Sequence, residues 1–196
     1  WALSDQLPYA ERPIDHRNYV VPLGIAPGGP RFVYIRVASE GSMTVPLHLW
    51  EPRHFAVESR ASYVALAIYF GMMLALMGYN SLLFLSTRDR NFLFYVLFAT
   101  SMAIGQLSAN GLGNEFLWPT LPAWGNVAFP IGFALTGLFG ALFTRGFLAT
   151  PQTTPRVDRI IVALIAAFAA GIATIALVDY RVGSIAISLT GAIFSV

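Results

Sequence analysis

The chain has no cysteine and no lysine, and only 11% of its 196 residues are charged. Without cysteine there is no disulfide framework and no thiolate-held metal, although this does not fix a compartment. So low a charge content, beside 56% hydrophobic residues and a mean hydropathy of +0.63, excludes an ordinary water-soluble globule. The twelve basic residues are all arginines and are dispersed along the chain. A pI of 9.2 with a net charge of +2 is therefore no nucleic-acid stripe, and no nucleic-acid partner is expected. No phosphate-cradling loop or nucleophile elbow occurs; Gly28 and Gly29, between prolines, read as a turn.

What is present is length without charge. From Ala61 to Thr87 no residue is charged, and Ala61 to Leu85 is apolar nearly throughout. A bilayer core about 30 Å thick needs about 20 helical residues, so this is a membrane span, and the lipid bilayer is a partner. Further spans are expected at about 92–109, 127–144 and 160–178, with an incomplete fifth over 184–196. The fold class expected is an α-helical polytopic membrane protein preceded by the C-terminal part of a β-sandwich or jelly-roll domain. The boundary falls between residues 1–58 and 59–196. The chain begins at Trp1 rather than Met and stops at Val196 inside an apolar run, so it reads as a fragment of a longer protein.

Residues 1–58 hold most of the acidic residues, five of the arginines and all three histidines. In Arg31 to Ala38, Val33, Ile35 and Val37 alternate with Phe32, Tyr34 and Arg36; Val45, Leu47 and Leu49 alternate likewise. With Ser39 to Met43 as a turn these form an expected hairpin, and Tyr19, Val21 and Leu23 suggest a third strand. A disulfide-free piece this short buries too little apolar surface alone, hence the larger sandwich.

Arginines beside the helix ends give a direction. Arg88 and Arg90 lie between the first two spans, and Arg145, Arg156 and Arg159 flank the connection from the third to the fourth. Asn110 to Asn126 has none. The positive-inside rule places the first and third connections in the cytoplasm and residues 1–58 outside; Arg53 and Arg60 count against this, but exported domains cross largely regardless of charge.

Chemistry within the spans is sparse. The first, second and fourth lack Asp, Glu, His and Arg, and Arg145 ends the third. Proton relays and histidine-based transfer lack their reacting groups, so this fragment is not expected to be an enzyme, and no catalytic residue or cofactor is assigned. Asn80, Ser81, Gln106, Ser108 and Asn110 read first as interhelical hydrogen bonds. Gly132, Thr136, Gly140 and Thr144 form a small-residue stripe, as do Ala163, Ala167 and Gly171; intrachain packing is the first reading and a homodimer face the second. His16, His48 and His54 are too widely spaced to make a metal site, and none is assigned. Trp118 and Trp124 read as headgroup anchors; with Asn110 they are the candidates to cap an outward ligand pocket.

Tyr79 to Tyr95 (YNSLLFLSTRDRNFLFY), Asn110-Gly with Trp118-Pro, and Arg145-Gly-Phe-Leu followed by Pro155-Arg-Val-Asp-Arg occur in an order that resembles the bacterial seven-transmembrane receptors with diverse intracellular signalling modules. Residues 31–39 and 46–50 look similar to the end of the jelly-roll domain attached to such receptors. The resemblance implies a sensor in a bacterial inner membrane that passes an extracytoplasmic signal to a histidine kinase, diguanylate cyclase or similar module absent from this chain. It also implies a sugar or other small ligand, without identifying one. The alternative, a transporter or channel subunit, calls for mid-membrane polar groups, broken helices or an inverted repeat, and no such repeat is seen.

Overall fold

In the computed structural model residues 3–24, 32–38 and 45–177, with Ile187, Thr190 and Gly191, are described. The chain divides into two units, residues 22–69 and residues 1–21 with 70–196. Among the described residues five α-helices follow one another: α1 (Pro52–Thr87), α2 (Arg90–Ala109), α3 (Pro122–Phe147), the single turn α4 (Thr150–Thr153) and α5 (Pro155–Leu177). Four of them, α1, α2, α3 and α5, are long and apolar enough to cross a membrane. The stretches expected at 61–85, 92–109 and 127–144 lie within α1, α2 and α3, and residues 160–177 of the next lie within α5. Most of the fifth falls outside the described residues; of it only Ile187, Thr190 and Gly191 are described, and these are helical.

In the unit of residues 22–69, no strand occurs among the described residues. Residues 32–38 and 45–50 form no ladder, and Phe32 and Tyr34 are 81% and 93% exposed. The turn expected at 39–43 lies outside the described residues, as do Gly28 and Gly29. Residues 19, 21 and 23 form no strand either. Alternation marks a face that pairing could bury, but it does not supply the partner strand. Residues 52–60 precede the expected first span. Here α1 has already begun: Pro52 occupies the first helical position, where its missing N–H costs nothing, and the Phe55 N–H donates to the Glu51 carbonyl at 2.9 Å. His54 Nδ1 lies 3.4 Å from the Glu51 carboxylate. No residue of α1 is buried.

In the other unit, α3 is the central helix. Its most extensive contact is with α2 and the next with α5. Small residues set both faces. A Cβ on Gly132 would lie 2.5 Å from the Gly105 nitrogen of α2, and one on Gly140 would lie 3.2 Å from the Phe98 ring. On the other face Gly137 admits the Phe168 ring of α5, and Ala134, Phe168 and Ile187 form a buried cluster. Gly171 accepts Ile187. Bilayer helices gain little from the hydrophobic effect, so this close approach of backbones supplies their dispersion contact. The stripe through Gly132 and Gly140 is thus occupied within the chain.

Most span hydroxyls and amides bond to their own helix. Asn80 donates to the Leu76 carbonyl, Ser81 to Met77, Ser101 to Leu97, Thr136 to Gly132 and Thr144 to Gly140, all at 2.7–2.9 Å. Ser108 crosses between helices, donating to the Gly125 carbonyl of α3 at 2.9 Å. For Asn80 and Ser81 an intrahelical bond stands where an interhelical one was read from sequence, because the carbonyl four residues back is the nearest acceptor for a short side chain.

At one end of the bundle the turns are tight. Two residues join α1 to α2: Arg88 takes a left-handed φ of 58° with its N–H on the Phe84 carbonyl, and Asp89 caps α2 by accepting the Asn91 N–H at 2.9 Å. At the same end Asn91 packs over Gly146. Arg145 grips Asp158 with Nε at 2.8 Å and Nη2 at 3.3 Å from the two carboxylate oxygens, and buried Thr150 donates to Asp158 at 2.8 Å. Asp158 stands in the first turn of α5, where a carboxylate also suits the helix dipole.

Candidate functional site

The opposite end of α2 and α3 is more elaborate. As α2 closes, the Asn110 side chain donates to the Gln106 carbonyl at 2.9 Å and to its Oε1 at 3.3 Å. Gly111 then takes a φ of +76°, a conformation that side-chain-bearing residues seldom adopt. A π-type turn follows over Gly113–Leu117, closed by the Trp118 N–H on the Gly113 carbonyl at 2.9 Å. The Trp118 indole lies against Gly113, where any Cβ would overlap it, and donates from Nε1 to Asn114 Oδ1 at 2.7 Å. Asn114 fills the space over Gly125 in the first turn of α3. Trp124 meets Trp118 edge to face at 6.3 Å. Trp118 is buried, whereas Trp124 is 40% exposed.

Residues 3–21 belong to the same unit and pack onto this connection. A 3-10 turn over Tyr9–Glu11 presents the Tyr9 N–H to the Pro119 carbonyl at 3.0 Å. Arg17 Nη1 donates to the Asn110 carbonyl at 3.3 Å, and the Arg17 carbonyl crowds the place where Gly111 would carry a Cβ. Arg12 fastens the segment to itself. Its guanidinium lies 4.8 Å from the Tyr9 ring centre and 4.4 Å from that of Tyr19, and donates to the His16 and Arg17 carbonyls, both at 3.0 Å. Such cation–π contacts are worth about 0.5–2 kcal/mol each, depending on desolvation. His16 is buried, and its Nδ1 accepts the Asn18 N–H at 3.0 Å. Burial holds its pKa below the ordinary value; the Arg17 and Arg12 cations push the same way, and Glu115 of the connection opposes them.

Of the residues expected to face a ligand, Asn110, Trp118 and Trp124 are all in this connection. Asn110 spends its side chain on Gln106 and its carbonyl on Arg17, and Trp118 packs inward. Residues 9–17 were not expected here. Their attachment joins positions about a hundred apart and leaves no local pattern, although the arginines and tyrosines of 9–19 are dense enough to notice. His16, His48 and His54 occupy different settings: His16 in this packed segment, His48 with its ring 6.2 Å from Trp50, and His54 beside Glu51. Among the described residues no three His, Asp or Glu side chains gather as metal ligands would.

Four long apolar helices joined by short turns, with a polar N-terminal segment seated on one end, define a multi-pass membrane protein. Residues 62–196 match the model of the 7TM diverse intracellular signalling family, and residues 1–51 match that of the 7TMR-DISM extracellular 2 domain. The chain belongs to the 7TM diverse intracellular signalling family. No curated protein matches it, and no solved structure does.

Proposed function

We propose that this chain is the transmembrane sensor portion of a bacterial signalling receptor. In that reading residues 1–58 are the end of an extracytoplasmic β-sandwich that binds a small ligand such as a carbohydrate. The helices carry the resulting change across the inner membrane to a histidine kinase, diguanylate cyclase or similar module of the complete protein. The observation that carries the reading is the succession, in one chain, of an extracellular-domain match over 1–51 and a membrane-helix match over 62–196. Span interiors free of charged residues support it further, since a sensor needs helices that move as bodies rather than helices that bind protons or ions.

The arrangement of charge supports the direction. Arg88, Arg90, Arg145, Arg156 and Arg159 gather toward the α1–α2 and α3–α5 turns, and the α2–α3 connection has no arginine of its own. The complete coding sequence tests the proposal. Further spans followed by a soluble signalling module support it; several additional spans with no such module would instead favour a transporter or channel subunit.

A further inference from the structure

We infer that the α2–α3 connection is the surface on which the outer segment delivers its signal: residues 3–21 form a clasp whose seating is transmitted down α2 and α3 to the Arg145–Asp158 end. This rests on the sensor reading above and deepens it by naming the contact. A route through the covalent joint at α1 is the obvious one, and no residue of α1 is buried. The clasp reaches the packed helices directly.

Its geometry suits transmission at both faces. On the outer side Arg12 ties Tyr9, His16, Arg17 and Tyr19 together, so a pull at Tyr19 moves the residues that touch the connection. On the receiving side each anchor belongs to a helix end. Asn110, which accepts from Arg17, is the C-cap of α2; Pro119, which accepts from Tyr9, lies within the turn that Trp118 and Leu121 close immediately before α3. Ser108 on Gly125 and the Trp118–Asn114–Gly125 stack bind those two ends to each other. The glycine contacts at Gly132 and Gly140 leave α2 and α3 no slack, so a tilt at one end reaches the other. There Asn91 over Gly146 and Arg145 on Asp158 pass it to α5. Topology agrees: because α1 and α2 both cross, the segment before α1 and the α2–α3 connection share one side of the membrane.

The test uses the chain in lipid nanodiscs, without ligand or output module, and exploits its lack of cysteine. Tyr9→Cys with Pro119→Cys puts thiols on two residues whose backbones share one hydrogen bond, and oxidation is expected to link them. Gly111→Ala drives a Cβ into the Arg17 carbonyl; the Tyr9 amide is then expected to exchange at least about tenfold faster. Spin labels at Arg90→Cys and Gln152→Cys are expected to report a displacement of about 1–2 Å between the linked and Gly111→Ala forms, a size usual for helix shifts. Gly111→Asn separates two causes, since asparagine tolerates the left-handed φ but still carries a Cβ; it is expected to act like alanine. Failure of the thiols to link, restoration of protection by asparagine, or unchanged label distances would each overturn the inference. The sensor reading would survive any of these, because its own test is the coding sequence, on which none of them bears.

Discussion

His16 is 6% exposed, and the group around it comprises Arg12, Arg17 and Glu115 with the Asn18 N–H on its Nδ1. Because burial lowers its pKa from 6.5, the neutral ring is the form the folded segment prefers. The unfolded segment binds more protons in the window between the lowered value and 6.5. Seating of the segment is therefore complete above that window and weakens as pH falls through it. Amide protection over residues 9–18, corrected for intrinsic exchange, is expected to drop between pH 7 and pH 5; His16→Gln is expected to flatten that profile. A profile unchanged by His16→Gln would remove histidine from the account. Glycines offer a second check at this scale. Gly132→Leu forces a side chain into the Gly105 backbone and is expected to destabilise the bundle by about 1–3 kcal/mol or more in a detergent unfolding titration. Gly71→Ala and Gly78→Ala, where nothing lies within 4 Å, are expected to be neutral or to stabilise by up to about 1 kcal/mol through helix propensity.

Among the elements, the helices were legible because each is a charge-free run of bilayer length bounded by arginine, proline or asparagine. The start of α1 was less so. Pro52 to Arg60 has no apolar face to mark a helix, yet Pro52 at the first position with Ala56 and Glu58 following was the available signal. The α3–α5 turn yields a prediction of its own. Arg145 and Asp158 meet in two hydrogen bonds, with side chains 39% and 13% exposed, and Thr150 completes the carboxylate's partners. Arg145→Asp alone is expected to loosen the ends of α3 and α5 that meet at this turn, broadening the distance distribution between labels placed on them. Adding Asp158→Arg is expected to restore much of the narrow distribution. No recovery in the double variant would mean that the pair does not hold the turn.

At the scale of the whole molecule, what the sequence concealed was contact between distant segments. Alternation in residues 32–38 and 45–50 is plain to read, yet the described residues form no ladder, since pairing depends on partners that periodicity does not name. The seating of residues 9–17 on the α2–α3 connection was hidden for the same reason: Tyr9 to Pro119 is a backbone encounter, independent of side-chain pattern, and the Arg17 guanidinium takes a backbone carbonyl, that of Asn110, which no periodicity names. Asn110 and Trp118 drew attention as polar and aromatic residues between spans, and both serve to build the connection on which that segment sits. The account depends on that surface facing outward while the Arg145–Asp158 end faces the cytoplasm. Single cysteines in this cysteine-free chain, at exposed Gln6, Phe116 and Gln152, allow labelling of intact cells with a membrane-impermeant maleimide. Gln6→Cys and Phe116→Cys are predicted to label from outside, and Gln152→Cys only after permeabilisation; the reverse pattern, or Gln6→Cys and Phe116→Cys labelling from opposite sides, would contradict it.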